Sequence, residues 1–573
     1  MILQALVEYY KRKSMDPESN LAPSGFEYKE IPFIILLDYE GKFIGIEDTR
    51  EKVGKKIKGK TFKVPQSVDR ANNILPNFLW DNPTYILGIS NNNKEKNADR
   101  IPKKHQSFLL NLNELYPHLA TNPEIKSVIK FLESNFILDL EKDTLWPTII
   151  EEMPNMTFRI AGNSHLVCQN NEVEEAISKQ FGKGEGEQGI CLISGETDQI
   201  ARLHPLIKGV YGAQSMGTKI ISINFDAAES YKKAQGSNSP VGVKACFEYT
   251  TALNYLLKSS QKLGYGEGTT IVFWAAKDNP FEDLLADLLD SSPTDDPDRQ
   301  TKAVESLFKS PVNGALAVSS DDTIFHILGL TPNAARLSIR FWWTTTVKEL
   351  AGNIKQHFED ITLGNERNKY NCFSLFRLLQ GCALKGDISK LPPNLLGNLL
   401  SSIFTLDVYP HSLLSLVLRR TKDEEGISSR RAALIKGWVN RFTRKIQKNE
   451  KELHVTLDET NTNHGYCLGR LFAVLEKIQE EAHGKDLNST IRDRFYSAAS
   501  TVPVTVFSNL MKLKNHHLKK LDNRGRAVNF EKIIGEIMHS INEFPSILSL
   551  ADQGRFAIGY YHQKQNFYIK TEE

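Results

Sequence analysis

The sequence predicts an α+β protein: a mixed α/β N-terminal body with antiparallel sheets, followed by a C-terminal helical bundle. Three observations predict it. Apolar β-branched runs bounded by turn residues recur as far as residue 346. From about residue 395 they give way to apolar residues spaced three and four apart. The 573 residues, 40% hydrophobic and 9% aromatic, supply several buried cores. The expected division is 1–395 for the body and 396–573 for the bundle.

The elements are taken in chain order. "MILQALVEYYKRK" is an amphipathic helix with Ile2, Leu3, Leu6 and Tyr10 inward, its basic end following its apolar one, the reverse of a signal peptide. "IPFIILLDYEGKFIGIED" (31–48) reads as two strands around a "DYEGK" turn. Residues 50–63, "REKVGKKIKGKTFK", set seven Lys/Arg against Glu51, a net +6. "PNFLWDNPTYILG" and a helical region then run to about residue 180. "GKGEGEQG" (182–189) feeds an expected strand "ICLISG", and further strands are expected at 218–225, 269–276 and 335–346. "LDSSPTDDPDRQ" (289–300) is an acidic surface excursion. In the bundle, Leu468, Leu471, Leu475 and Ile478 share one helix face. Phe507, Leu510, Met511, Leu518 and Leu521 share another after Pro503, and Ile533, Ile537 and Ile541 a third.

The totals exclude some classes. A net charge of +2 leaves any anionic partner to local basic patches. No apolar run approaches the ~20 residues of a membrane helix. Six scattered cysteines without C-x-x-C suit reduced thiols in a cytoplasm.

Several catalytic motifs fail on context. "GKKIKGKT" (54–61) fits the phosphate-loop pattern, but Pro65 follows where a helix is needed. "GEGEQG" (184–189) precedes its strand, the reverse of a dinucleotide site. His165, Cys168, Cys191 and His204 have spacings of no standard zinc site. No nucleophile elbow or H-E-x-x-H is present, so we assign no catalytic residue, metal or cofactor. A metal-dependent nuclease, or an ATPase using Lys60, remains the alternative.

Nucleic-acid signals are better placed. "RLSIRFWW" (336–343) reads as a strand with Arg336, Ser338, Arg340 and Trp342 on one face. Residues 419–448 carry ten Lys/Arg against three Asp/Glu, net +7. Lys512, His516 and Lys519 recur on one face of the helix after Pro503. "VYGAQSMGTKIISINFD" (210–226) and "ESYKKAQGSNSP" are dense in small neutral hydrogen-bonding groups.

The chain resembles the large subunit of the type I-C CRISPR surveillance complex (Cascade). The carrying strings are "ILQAL" (2–6), "PFIILLDYEGKFIGIED" (32–48), "PNFLWDNPTYILG" (76–88), the long run "CLISGETDQIARLHPLIKGVYGAQSMGTKIISINFDAAESYKKAQGSNSPVG" (191–242), "HGYCLGRLF" (464–472), "RFYSAASTVPVTVF" (494–507) and "QGRFAIGYYHQ" (553–563). The resemblance implies a cytoplasmic, non-catalytic subunit at the crRNA 5′ end, beside the backbone and repeat-processing subunits. It implies reading of a short, 5′-TTC-like protospacer-adjacent motif in double-stranded DNA, opening of the duplex to an R-loop, holding of the displaced strand and recruitment of a helicase–nuclease. It also implies a C-terminal region like the small subunit, made separately from an internal start. No Met lies between Met216 and Met511, so that start would be a non-AUG codon near Val439, Leu453 or Val455.

Such a subunit reads the minor groove, where amides suit the sparse pattern of donors and acceptors. The expected contacts are Asn72, Asn73, Gln214, Asn224, Gln235, Ser237 and Asn238, with Lys208 and Lys232 on neighbouring phosphates. Lys55, Lys56, Lys58, Lys60, Arg336, Arg340, Lys512, His516 and Lys519 are the expected backbone contacts.

Overall fold

The computed structural model describes residues 1–568 apart from 17–18, 20, 54–55, 69, 71–72, 92–99, 135, 183–185, 224, 265–267, 290–306, 308–320, 365–372, 424–425 and 485–488. Lys55, Asn72, Asn224, Gly184, Cys372 and nearly all of the acidic 289–300 stretch lie outside the described residues. Two compact units form: Met1–Leu206 with Ile221–Tyr255, and Ile207–Ile220 with Leu256–Glu573.

In the first unit, helix Ile2–Ser14 buries Leu6 and Tyr10 and half-buries Ile2 and Leu3. Its last turn holds Lys11, Arg12 and Lys13, cations at the negative end of the helix dipole. Among the described residues ten strands come after it: β1 Phe26–Glu30, β2 Phe33–Leu37, β3 Phe43–Asp48, β4 Glu51–Val53, β5 Lys56–Lys58, β6 Thr61–Pro65, β7 Trp80–Asp81, β8 Met156–Ile160, β9 Gln188–Ile190 and β10 Thr197–Gln199. The expected hairpin is β2–β3, antiparallel, its turn closed by Asp38 Oδ1 accepting the amides of Glu40 and Lys42 at 2.9 and 2.8 Å. The sheet order is β3-β2-β8-β7, with β8 parallel to β2. β1 pairs with β6, β4 with β5, and β9 with β10.

Two sequence expectations are corrected here. The helical region before residue 180 contains strand β8. Four of its five residues are fully buried, so it shows no alternation and hides among helical apolar residues. The strand "ICLISG" ends at Ile190; Cys191–Gly195 is a turn, with the Gly195 amide on the Cys191 carbonyl at 2.9 Å.

The second unit carries an antiparallel sheet in the order β11 Lys262–Leu263, β12 Thr270–Ala275, β13 Ile324–Asn333 and β14 Arg336–Thr346. Helix Val347–Ile361 begins directly after β14, N-capped by Thr346 Oγ1. Its Leu350 and Ile354 share one core with Leu399, Ile403 and Ile435, so helices on both sides of residue 395 pack together. A further core joins helices His464–His483, Ile491–Ala499, Val504–Lys519 and Arg524–His539. Leu468, Leu471, Leu475, Ile478, Phe507, Leu510, Ile537 and Ile541 are buried there as the periodicity predicts. Met511, Leu518, Leu521 and Ile533 are half-buried against it. No described helix is long and apolar enough to cross a membrane.

Candidate nucleic-acid interface

The expected strand at 218–225 does not form. Thr218 bridges Ile207 and Lys219 bridges Arg336, and there the ladder stops, because the chain passes from the second unit to the first at Ile221. A β-branched run without a partner edge has nowhere to place its backbone donors. The chain continues into a tightly constrained loop in the first unit. Tyr231, Lys232 and Gln235 have φ of 52°, 59° and 45°, a left-handed conformation rare for residues with side chains.

Identifiable contacts hold this loop. Asn238 Oδ1 accepts the Ser230 amide at 2.9 Å, while its Nδ2 donates to the carbonyls of Lys233 (2.7 Å) and Gln235 (3.1 Å). Arg202 Nη1 donates to Gln235 Oε1 at 2.8 Å. Ser237 donates to Glu187, and Glu229 Oε1 accepts the Gln235 amide at 3.1 Å. The Gly236 amide reaches the Arg202 carbonyl at 3.2 Å. A Cβ at Gly236 would fall on the Ala201 carbonyl oxygen and 2.9 Å from that of Arg202, so only glycine lets the loop lie this close. The result presents Tyr231, 96% exposed, and the exposed Lys232 outward.

The remaining expected contacts are distributed. Lys208 and Gln214 are exposed in the second unit, on the excursion Ile207–Ile220, whereas Lys232, Gln235, Ser237 and Asn238 belong to the first. The excursion is anchored by Lys262, which donates to the Gly209 carbonyl at 2.8 Å and lies 4.0 Å over the Tyr211 ring. Asn73 is exposed in the loop before β7. That loop is gripped by buried Asp81, which accepts the amides of Asn77 (2.9 Å) and Asn82 (2.8 Å) and pairs with Arg70. Burial raises the Asp81 carboxyl despite Arg70 beside it. Phe78 and Trp80 are core residues, and Trp80 Nε1 donates to the Pro65 carbonyl at 2.7 Å.

The basic run 50–63 is a pair of strands leading into a third. β4 and β5 form a ribbon on which Lys58 is exposed opposite Glu51, and Lys56 occupies the first position of β5. Lys60 is exposed and pairs with Glu51 at 3.0 Å. Thr61 opens β6, so a strand stands where a phosphate loop needs its helix.

On β14 the register slips between Gly329 and Leu330, which face Phe341 and Ile339, leaving Arg340 in the bulge. This corrects the expected single face of Arg336, Ser338, Arg340 and Trp342, because a one-residue slip exchanges the faces. Trp342 stacks on His326 (5.0 Å, 13°), while Arg336 and Ser338 lie on the side of Phe341 and Trp343. Arg340 is exposed and donates to Thr331 Oγ1 at 3.1 Å.

The basic residues of 419–448 divide between interior and surface: Lys436 and Arg441 are buried, whereas Arg419, Arg444, Lys445 and Lys448 are exposed. Arg441 and Asp360 are each 1% exposed and meet at 2.8 Å, and Arg444 joins Asp360 at 2.9 Å. Lys436 donates to the Asp360 carbonyl at 2.9 Å and is pushed down to about 8 by burial. Lys512, His516 and Lys519 are instead exposed along one face of helix Val504–Lys519, as expected, beside Ser508, Asn509, Asn515 and Lys520.

The zinc candidates have separate partners. His165 bonds Glu124 at 3.1 Å, His204 bonds Tyr249 at 2.5 Å, and burial pushes the Cys168 thiol up to about 12. Among the described residues no three His, Cys, Asp or Glu converge as metal ligands.

A family model described as CRISPR-associated protein (Cas_Csd1) matches residues 6–568. The chain belongs to the Csd1 family. It is thus a large subunit of a type I-C Cascade, a family of structural subunits that work with crRNA and other CRISPR-associated proteins. No curated protein matches the chain. Within this Csd1-family subunit, sequence reasoning named Gln235, Ser237 and Asn238 but not Arg202 and Glu187, which hold Gln235 and Ser237. No local signal could have found those two, because they lie 33 and 50 residues from their partners.

Proposed function

We propose that this subunit reads a short protospacer-adjacent motif in duplex DNA and nucleates strand opening for crRNA pairing. The observation that carries the reading is the clasped loop Ser230–Asn238, three of whose side-chain-bearing residues hold left-handed backbone conformations. Strain of that kind persists only where surrounding contacts over-determine it, and it concentrates at ligand-contacting sites. In this reading Lys232 meets a phosphate and Gln235 a base edge. Asn238, whose amide is used inside the loop, positions both. Gln214, Lys208 and Asn73 supply further contacts from exposed loops. Lys58, Lys60, Arg336, Arg340, Lys512, His516 and Lys519 serve the backbone of either strand, with the helical end small-subunit-like and holding the displaced strand. Residues 1–395 meet the crRNA 5′ end, and the assembled particle recruits the helicase–nuclease in the cytoplasm. The subunit carries out no chemical step.

The test is a reconstituted complex selected on duplexes with a randomised motif. Lys232→Ala should weaken binding to all sequences and lower the salt slope, by about 0.9 for one duplex phosphate. Gln235→Ala should relax preference at one motif position, by about 1–3 kcal/mol. Identical selection profiles for wild type and Gln235→Ala would remove Gln235 from the reading.

A further inference from the structure

Beside the clasped loop the first unit forms a half-open cavity of about 680 Å³. That is within the range of small-molecule sites, roughly 300–1,000 Å³. Phe181 and Phe247 line it, their rings edge to face at 5.2 Å and 72°. Gln66 and Gln199 line the same space. Its roof includes Ala234 and Ser237, and the two clasps, Arg202 with Gln235 and Ser237 with Glu187, sit at its rim.

We propose that this cavity receives a single unstacked nucleobase. Aromatic rings offer a flat apolar wall on which a base stacks, and amides both donate and accept as base edges require. Glu187 and Arg202, opposite charges at the rim, leave the cavity no net positive charge to hold a phosphate inside, while a neutral ring is tolerated. Exposed Lys232 lies in the same loop, so a strand whose phosphate it holds passes over the roof. The assignment rests on the reading that this loop touches nucleic acid. The base comes either from the DNA opened at the motif or from the crRNA 5′ segment.

The experiment places 2-aminopurine at single positions of the displaced strand, the target strand or the crRNA 5′ segment of the assembled complex. Its fluorescence rises when the base leaves the stack. The expected result is one position with a several-fold rise that Ala234→Trp, filling the cavity from the roof, abolishes. Val243→Phe, filling it from helix Val243–Leu256, should do the same and carries the test if the first variant fails to fold. A responding position in DNA identifies DNA as the source, and one in crRNA identifies the guide. No cavity-sensitive position on any strand, or a rise that survives both fillings, overturns the proposal. Scoring motif preference on the same complexes separates the two readings. A complex without motif preference that still unstacks one base defeats only the motif reading, and one with motif preference but no cavity-sensitive base defeats only the cavity.

Discussion

Replacing Gly236 by alanine tests how the proposed reading loop is built. The added methyl would collide with two main-chain oxygens, those of Ala201 and Arg202, neither of which can rotate away. Relief requires the loop to lift. Lifting breaks the hydrogen bond from the Gly236 amide to the Arg202 carbonyl and loosens the Arg202–Gln235 and Ser237–Glu187 hydrogen bonds. At about 0.5–1.5 kcal/mol net for each hydrogen bond, the docked loop loses roughly 2–4 kcal/mol. That is enough to populate an undocked loop in which Gln235 no longer holds its left-handed position. A base contact worth about 1–3 kcal/mol then disappears, a loss of roughly 5- to 150-fold in preference for the cognate motif. The assay is competition between cognate and altered motifs for the assembled complex, with hydrogen exchange reporting loop opening. Gly45→Ala, at a strand position with no atom within 4 Å of the new methyl, is the control. Increased exchange at 230–238 with undiminished motif preference would refute the reasoning.

Other outcomes are expected from the packing. Asp360→Asn leaves Arg441 charged and buried without its counter-ion and should destabilise the second unit by about 3–5 kcal/mol, whereas Asp360→Leu with Arg441→Met should recover most of that loss in thermal denaturation. Lys512→Ala with Lys519→Ala should lower the slope of log affinity against log salt for single-stranded DNA by about 1.4, measured by fluorescence anisotropy, since each phosphate contact contributes about 0.7. Burial, with Lys436 and His454 nearby, holds His562 down to about 3, against about 6.5 when unfolded, so the fold favours its neutral form. Its contribution is therefore full above pH 6.5 and is lost as pH falls from 6.5 towards 3, by up to about 1.4 kcal/mol per pH unit. His562→Gln should flatten that acid limb in denaturation curves.

Local regularity carried a large part of the architecture. The bundle helices were legible because Leu468, Leu471, Leu475 and Ile478 repeat at the helical period and all meet one core. The hairpin at 31–48 was legible because β-branched residues flank a turn that Asp38 closes within five residues. The long strings shared with the type I-C large subunit pointed to a family that the match over residues 6–568 bears out. Strand β8 was not legible, since four of its five residues are buried beside β2 and leave no alternation, nor was the face exchange on β14, which depends on a bulge opposite Gly329 and Leu330.

The charged residues divide most clearly between sequence and tertiary structure. Sequence determined that residues 419–448 are basic, but only the fold decided that Arg441 and Lys436 turn inward to Asp360, a residue some eighty positions away, while Lys512 and Lys519 stay at the surface. Sequence likewise placed Gln235, Ser237 and Asn238 in a polar loop, and the fold supplied Arg202 and Glu187 to clasp it. The physical reason is range. Backbone propensity and apolar periodicity act over a few residues and are written locally. Burial and charge pairing depend on which distant segments meet, and that is settled only when the chain closes on itself.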